Sequence, residues 1–158
     1  MEKVHGTNFS LVFDGSSMKC CRRNNFLEMN ESFYNFQTVL EAHHEKVRLI
    51  FQELRAEIPT LHYIKVYGEL YGGTYPGVKS SQKAVQTTIV YCPKVDFIAF
   101  DLFYKRHDGE AEEILNYKKA CALFEKTQLP FAEILHEGTV KHLLETLDAE
   151  KFESQIYL

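Results

Sequence analysis

From Phe36 onward apolar residues return at steps of three and four: Phe36, Val39, Leu40, Val47, Ile50, Phe51, Leu54 and Ile58 fall on one side of a 3.6-residue helix. Pro59 ends that pattern, because it has no N–H to continue the ladder. Four residues later the period drops to two. Tyr63 to Tyr71 (YIKVYGELY) alternates as a half-buried strand does, and Val95 to Tyr104 (VDFIAFDLFY) is a more apolar, aromatic-rich strand. A long amphipathic helix needs an apolar face to cover, and these strands supply one. The chain is therefore expected to be an α+β protein.

The remaining segments fit that class. Thr7 to Phe13 and Met18 to Arg23 read as a hairpin around the turn Asp14-Gly15-Ser16-Ser17. The stretch from Asn24 to Asn35 is polar and is expected to be a loop, as is Gly72-Gly73-Thr74-Tyr75-Pro76-Gly77. Ala84 to Tyr91 reads as a strand. Glu110 to Gln128 reads as a helix with Ile114, Tyr117, Ala120, Cys121 and Phe124 on one face. A short strand over Phe131 to Leu135 and a last helix over Thr139 to Leu147 complete the chain. No regular βαβ alternation occurs, so the strands are expected to be antiparallel. No repeat or linker divides residues 1–158, and 158 residues suit one domain.

Composition narrows the function. Hydrophobic residues at 45% and charged residues at 25% exclude a disordered chain. Apolar runs are only a few residues long, so no membrane span is expected, and the start of the chain has no apolar stretch of the secretory kind. The formal charge is −4, so any nucleic-acid role must rest on a local site rather than on overall basicity. Cys20, Cys21, Cys92 and Cys121 form no Cys-x-x-Cys pair, which argues against zinc and for an intracellular, reducing setting, cytoplasmic or within an organelle.

Four stretches carry chemistry. EKVHGTNF (Glu2 to Phe9) contains a Lys-x-x-Gly, which alone says little, since a solvated lysine before a turn glycine is common. It is followed by CCRRNN with Arg23, then YGELYGGTYP (Tyr67 to Pro76), then DFIAFDLFY (Asp96 to Tyr104). In that order and spacing the four resemble the nucleotidyltransferase motifs of ATP-dependent RNA ligases, of the nick-sealing type that includes the kinetoplastid RNA-editing ligases. The resemblance runs over nearly the whole chain, and EKVHGTNF with GELYGG is its most specific part.

What this implies is a covalent nucleotidyl transfer. Lys3 would attack the α-phosphate of ATP, with Mg²⁺ or Mn²⁺, and carry AMP on its side-chain nitrogen. The AMP would pass to an RNA 5′-phosphate, and a 3′-hydroxyl would displace it to join the RNA ends of a nick or bridged strands. An amine attacks only in its neutral form, which desolvation and neighbouring cations favour. By the same resemblance Glu2 would read the adenine edge, His5 would serve the adenylylation step, and Asn8 would meet the RNA end. Arg23 would contact ribose and the reacting strand, and Glu69 would hold the ribose hydroxyls. Phe100 would stack on adenine, with Asp101 beside it as a structural or metal-associated acid, and Phe33 and Tyr34 would supply an aromatic pair. Each has a plainer reading: an exposed acid for Glu2, a surface histidine for His5, a core ring for Phe100. Gly68, Gly72 and Gly73 read best as turn residues.

The family also carries a Glu-Gly-Val-Val-like acidic motif and a closing Lys-x-Lys downstream. Neither is found, although His136-Glu137-Gly138-Thr139-Val140 is superficially like the first. The implied fold is the nucleotidyltransferase domain of covalent ligases, antiparallel sheets flanked by helices, here expected to be truncated at both ends; the metal ligands are left unassigned. The alternative is a truncated or inactive module that binds nucleotide, RNA or a partner without turnover. A capping-enzyme or DNA-ligase relative shares Lys-x-x-Gly but fits the other motifs less well.

Overall fold

A computed structural model describes residues 1, 3–78 and 83–149. Its centre is one six-stranded antiparallel sheet. In chain order the elements are β1 (Thr7–Phe13), β2 (Met18–Arg22), β3 (Asn25–Leu27), α1 (Phe36–Glu57), β4 (Tyr63–Gly72), β5 (Val95–Lys105), β6 (Glu113–Ile114), α2 (Tyr117–Lys126) and α3 (Val140–Ala149). The strand order is β3-β2-β1-β4-β5-β6. β1 and β4, distant in sequence, lie side by side, which sets the motif around Lys3 against the one around Glu69.

The expected hairpin forms, and its turn has a clear cause. Asp14 Oδ1 accepts from the amides of Ser16 and Ser17 at 2.9 and 2.8 Å, and Gly15 takes φ +92. α1 follows the period read from the sequence and buries Phe36, Val39, His43, Val47, Ile50, Phe51 and Leu54. That face covers one side of the sheet, where Phe9, Leu11, Ile64, Val66, Leu70, Phe97 and Leu102 are all at 0% exposure. Ring contacts link the layers: Phe9 to Phe36 at 6.2 Å and Phe13 to Phe51 at 5.3 Å between centroids.

Several sequence expectations are corrected. The stretch over Asn24 to Asn35 is not all loop, because Asn25–Leu27 pairs with β2. Ala84 to Tyr91 is not a strand; its Val85 amide bonds to the Gly72 carbonyl and the segment otherwise folds over the sheet without a ladder. Glu110 to Gln128 is not one helix. Residues 113–114 pair with β5, and α2 starts only at Tyr117, where the Asn116 side chain accepts from the amides of Lys118 and Lys119. Phe131 makes a single parallel bridge to Ala99 rather than a strand. There is one sheet among the described residues, not several.

Candidate nucleotide site

The side of the sheet away from α1 carries Asn8, Glu69, Phe100 and Asp101. Antiparallel register puts Asn8 opposite Glu69, and Glu69 opposite Ile98, in one row. The next row is Ser10, Tyr67 and Asp101. β5 reaches this arrangement through a bulge. Gly68 pairs with Ala99 but Tyr67 pairs with Asp101, so Phe100 is an extra residue on β5. The consequence is visible in burial. Val95, Phe97 and Ala99 belong to the main core before the bulge, and Leu102 and Tyr104 belong to it after the bulge. The one-residue change of phase leaves Phe100 and Asp101 together on the open side. Phe100 is half-buried against a small cluster of Val4, Tyr91, Ile98 and Ala132.

Val4 lies between Lys3 and His5, so this cluster anchors the start of the chain beside Phe100. Lys3 and His5 themselves are exposed. Gly6 then crosses β4 so closely that a Cβ would stand 1.9 Å from the Leu70 carbonyl oxygen. Its amide donates to Glu69 Oε1 at 3.1 Å. Glu69 is partly buried, and that burial pushes its carboxyl above the usual range, opposed by the Gly6 amide and by the positive charge of Lys3. Asp101 is likewise pushed up by burial.

Gly68 is not a turn residue, contrary to expectation. It lies within β4, and a Cβ there would come within 2.3 Å of the Ile98 carbonyl and the Phe97 ring. Gly72 and Gly73 do have positive φ, +81 and +92, at the exit of β4. Arg23 occupies the exposed turn between β2 and β3 with φ +43, an uncommon conformation for a side-chain-bearing residue. It lies at the end of the sheet where Asn8 and Glu69 are, because Arg22 pairs with Phe9. Phe33 and Tyr34 form a ring pair at 5.0 Å and pack on the main core, with the Arg22 guanidinium 5.9 Å from the Phe33 ring. Glu2 lies outside the described residues.

Two groups were not foreseen from sequence. Tyr91 accepts the His5 N–H at 2.9 Å, and Gln86 Nε2 donates to the Gly6 carbonyl at 3.0 Å. His43, 3% exposed on α1, meets Asp96 Oδ1 at 3.1 Å. Burial raises Asp96, but bonds from His43 and the Phe97 amide outweigh it and hold the carboxyl below its usual range. No single-sequence signal marks these pairings. Among the described residues no group of three His, Cys, Asp or Glu side chains is placed to hold a metal ion. An open cleft of about 490 Å³ shares Tyr91 and Ile98 with the cluster around Val4 and is lined also by Tyr71, Cys92, Pro130 and Phe131.

A family model described as RNA ligase matches residues 1–155. The chain belongs to the RNA ligase family. RNA-editing ligase 2, mitochondrial, of Trypanosoma brucei brucei is 29% identical over 98% of this chain and 42% of its own length. RNA-editing ligase 1, mitochondrial, of the same organism is 26% identical over 96% of this chain and 38% of its own. The chain thus spans about two-fifths of the length of these relatives. Among solved structures, a Naegleria gruberi RNA ligase K170A mutant with ATP and Mn superposes with TM-score 0.55 at 15% identity, over 89% of this chain and 38% of that one. An E312A mutant of the same enzyme with AMP and Mn gives 0.55 at 15% identity, over 90% and 38%. The fold is that of an RNA ligase nucleotidyltransferase domain. No helix among the described residues is long and apolar enough to cross a membrane.

Proposed function

We propose that residues 1–158 act as one nucleotide-activating unit of an ATP-dependent RNA ligase, with Lys3 as the nucleophile. The observation that carries this reading is the convergence of Lys3, Gly6 and Glu69. The segment bearing the lysine crosses β4 at a glycine, and the carboxylate on β4 binds that glycine's amide while sensing the lysine's charge. Phe100 and Val4 add an apolar surface beside it. A lysine, a half-buried acceptor and an exposed-edged ring are what an adenosine phosphate needs: a nucleophile for phosphorus, a partner for the ribose diol, and a platform for the base.

In this reading the neutral Lys3 Nζ forms a bond to the α-phosphorus of ATP. The bond from that phosphorus to the bridging oxygen breaks, pyrophosphate leaves with the electron pair, and the nitrogen loses a proton. His5, exposed two residues on, is proposed to serve this step by ordering the departing phosphates. The resemblance of EKVHGTNF to the ligase motif is what supports that assignment. AMP then moves to an RNA 5′-phosphate, and the 3′-hydroxyl of a second end displaces it. Arg23 and Asn8, at the same end of the sheet, are proposed to receive the RNA ends, and Phe33 to support Arg22 beside them. Glu2 is proposed to read the adenine edge. Mg²⁺ or Mn²⁺ is proposed to bind with the nucleotide's phosphates, where it would supply charge neutralisation. A reducing, intracellular setting suits the four free cysteines.

The second reading is a module that binds nucleotide or RNA without turnover. One assay separates them. With ATP labelled at the α-phosphate and Mg²⁺ or Mn²⁺, wild type should take up covalent label. Lys3→Ala should abolish it, and Glu69→Gln should reduce it by about a hundredfold while the protein stays folded. A wild type that binds ATP reversibly but never takes up label favours the second reading.

A further inference from the structure

The backbone that follows the nucleophile is held by side chains that the ligase motifs do not include. His5 N–H donates to the Tyr91 hydroxyl at 2.9 Å, and the Gly6 carbonyl accepts from Gln86 Nε2 at 3.0 Å. The Gly6 N–H is already bound by Glu69. Three backbone polar groups on two adjacent residues, in a segment with no strand or helix of its own, therefore have side-chain partners, two of them from residues 86–91. We propose that Tyr91 and Gln86 are positioning residues: they fix the Lys3–Gly6 backbone so that the lysine is presented to the phosphate. The proposal rests on the reading of Lys3 as nucleophile.

The way residues 83–95 are attached supports this. Tyr91 is 3% exposed, stacks edge-on against Tyr71 at 5.6 Å, and shares a cluster with Val4 and Phe100. Val85 N–H bonds to the Gly72 carbonyl, and the Gly73 amide donates to the carbonyls of Cys92 and Lys94. A Cβ on Gly72 would come within 2.4 Å of the Lys94 carbonyl and 2.5 Å of Cys92 Sγ. So the paired glycines after Glu69 are where this strap seats on β4. The circuit closes: Glu69 holds Gly6, Gly72 and Gly73 seat the strap, and the strap's Gln86 and Tyr91 hold Gly6 and His5. That gives EKVHGTNF and GELYGG a physical reason to occur together. The hydroxyl and amide are spent on backbone rather than aimed at a ligand, so their removal should change how well the lysine is presented more than how well ATP binds.

The test uses the full 158-residue chain with Tyr91→Phe, Gln86→Met and Gln86→Glu. Single-turnover uptake of label from ATP is expected to slow about tenfold in Tyr91→Phe and Gln86→Met, with half-saturating ATP within about twofold of wild type. Gln86→Glu, which sets a carboxylate against the Gly6 carbonyl, should be slower still. The melting temperature of Tyr91→Phe should stay within about 2 °C, because the ring remains in its cluster. Wild-type rates in both Tyr91→Phe and Gln86→Met would overturn the proposal, as would a fall in melting temperature large enough to account for the lost rate. Amide hydrogen exchange resolved at His5 gives a readout that needs no catalysis: Tyr91→Phe should speed it about tenfold. If wild type takes up no label, the nucleophile reading fails, and this exchange decides alone whether Tyr91 restrains the segment; unchanged exchange sinks it.

Discussion

A single methyl group tests why Gly6 and Gly68 stand where they do. Gly6 leaves room for the Leu70 carbonyl, and Gly68 for the Ile98 carbonyl and the Phe97 ring. Neither obstacle is a flexible side-chain end alone, so relief requires backbone movement. Gly68→Ala should therefore destabilise the fold by about 1–3 kcal/mol, read as a lower urea midpoint with an unchanged slope. An unchanged midpoint would contradict the packing described for the bulge. Motif order singled out Lys3, His5, Asn8, Glu69, Phe100 and Asp101 as candidates; the structure places Asn8, Glu69, Phe100 and Asp101 on one side of the sheet and ties the His5–Gly6 backbone to Tyr91 and Glu69 beside them. The reason for Gly68 was not readable, since a strand glycine and a turn glycine look alike until the neighbour across the sheet is known. Tyr91 and Gln86 were missed for a related reason: their partners are backbone groups more than eighty residues away.

Among the elements, the β1–β2 hairpin is the best understood. Asp14 accepts four hydrogen bonds from Ser16 and Ser17, and these hold its carboxyl well below the usual range, led by the Ser17 amide. A depressed carboxylate contributes stability above its unfolded pKa and loses it as pH falls through the folded value. Asp14→Ala should thus cost about 1 kcal/mol at neutral pH. The gap between variant and wild type should narrow as the solution is taken below about pH 4. Chemical denaturation at several pH values checks this; a gap independent of pH would contradict the turn assignment. The same hydrogen-bond logic explains the misread boundaries. Asn116 caps α2 with its side chain, so the polar run before it is free to pair with β5. Residues 84–91 satisfy backbone groups on Gly72, Gly6 and His5 rather than a neighbouring strand. Alternation alone does not reveal either choice. The long helix and β4 were legible because their apolar periods match the faces they bury, and β5 because its run is apolar and aromatic.

At the scale of the molecule, one core joins α1 and the sheet beneath the site. Phe97 is its hub: fully buried, 5.8 Å from Phe9 and 5.9 Å from His43, and the ring that excludes a side chain at Gly68. Phe97→Ala should cost about 3–5 kcal/mol and loosen the bulge that presents Phe100 and Asp101. His43 and Asp96 tie α1 to the start of the same strand, with His43 Nδ1 buried and without a hydrogen-bond partner among the described residues. The α+β class and the ligase fold were legible from sequence; the single sheet, its bulge and the strap over it depend on contacts between distant segments. The central claim concerns one atom, the Lys3 side-chain nitrogen. Its most direct test is intact mass spectrometry of the chain after incubation with ATP and Mg²⁺ or Mn²⁺, followed by peptide mapping. The account predicts a gain of one AMP located on Lys3 and absent from Lys3→Ala. An AMP found on another residue, or none on a folded protein that binds ATP, would contradict it.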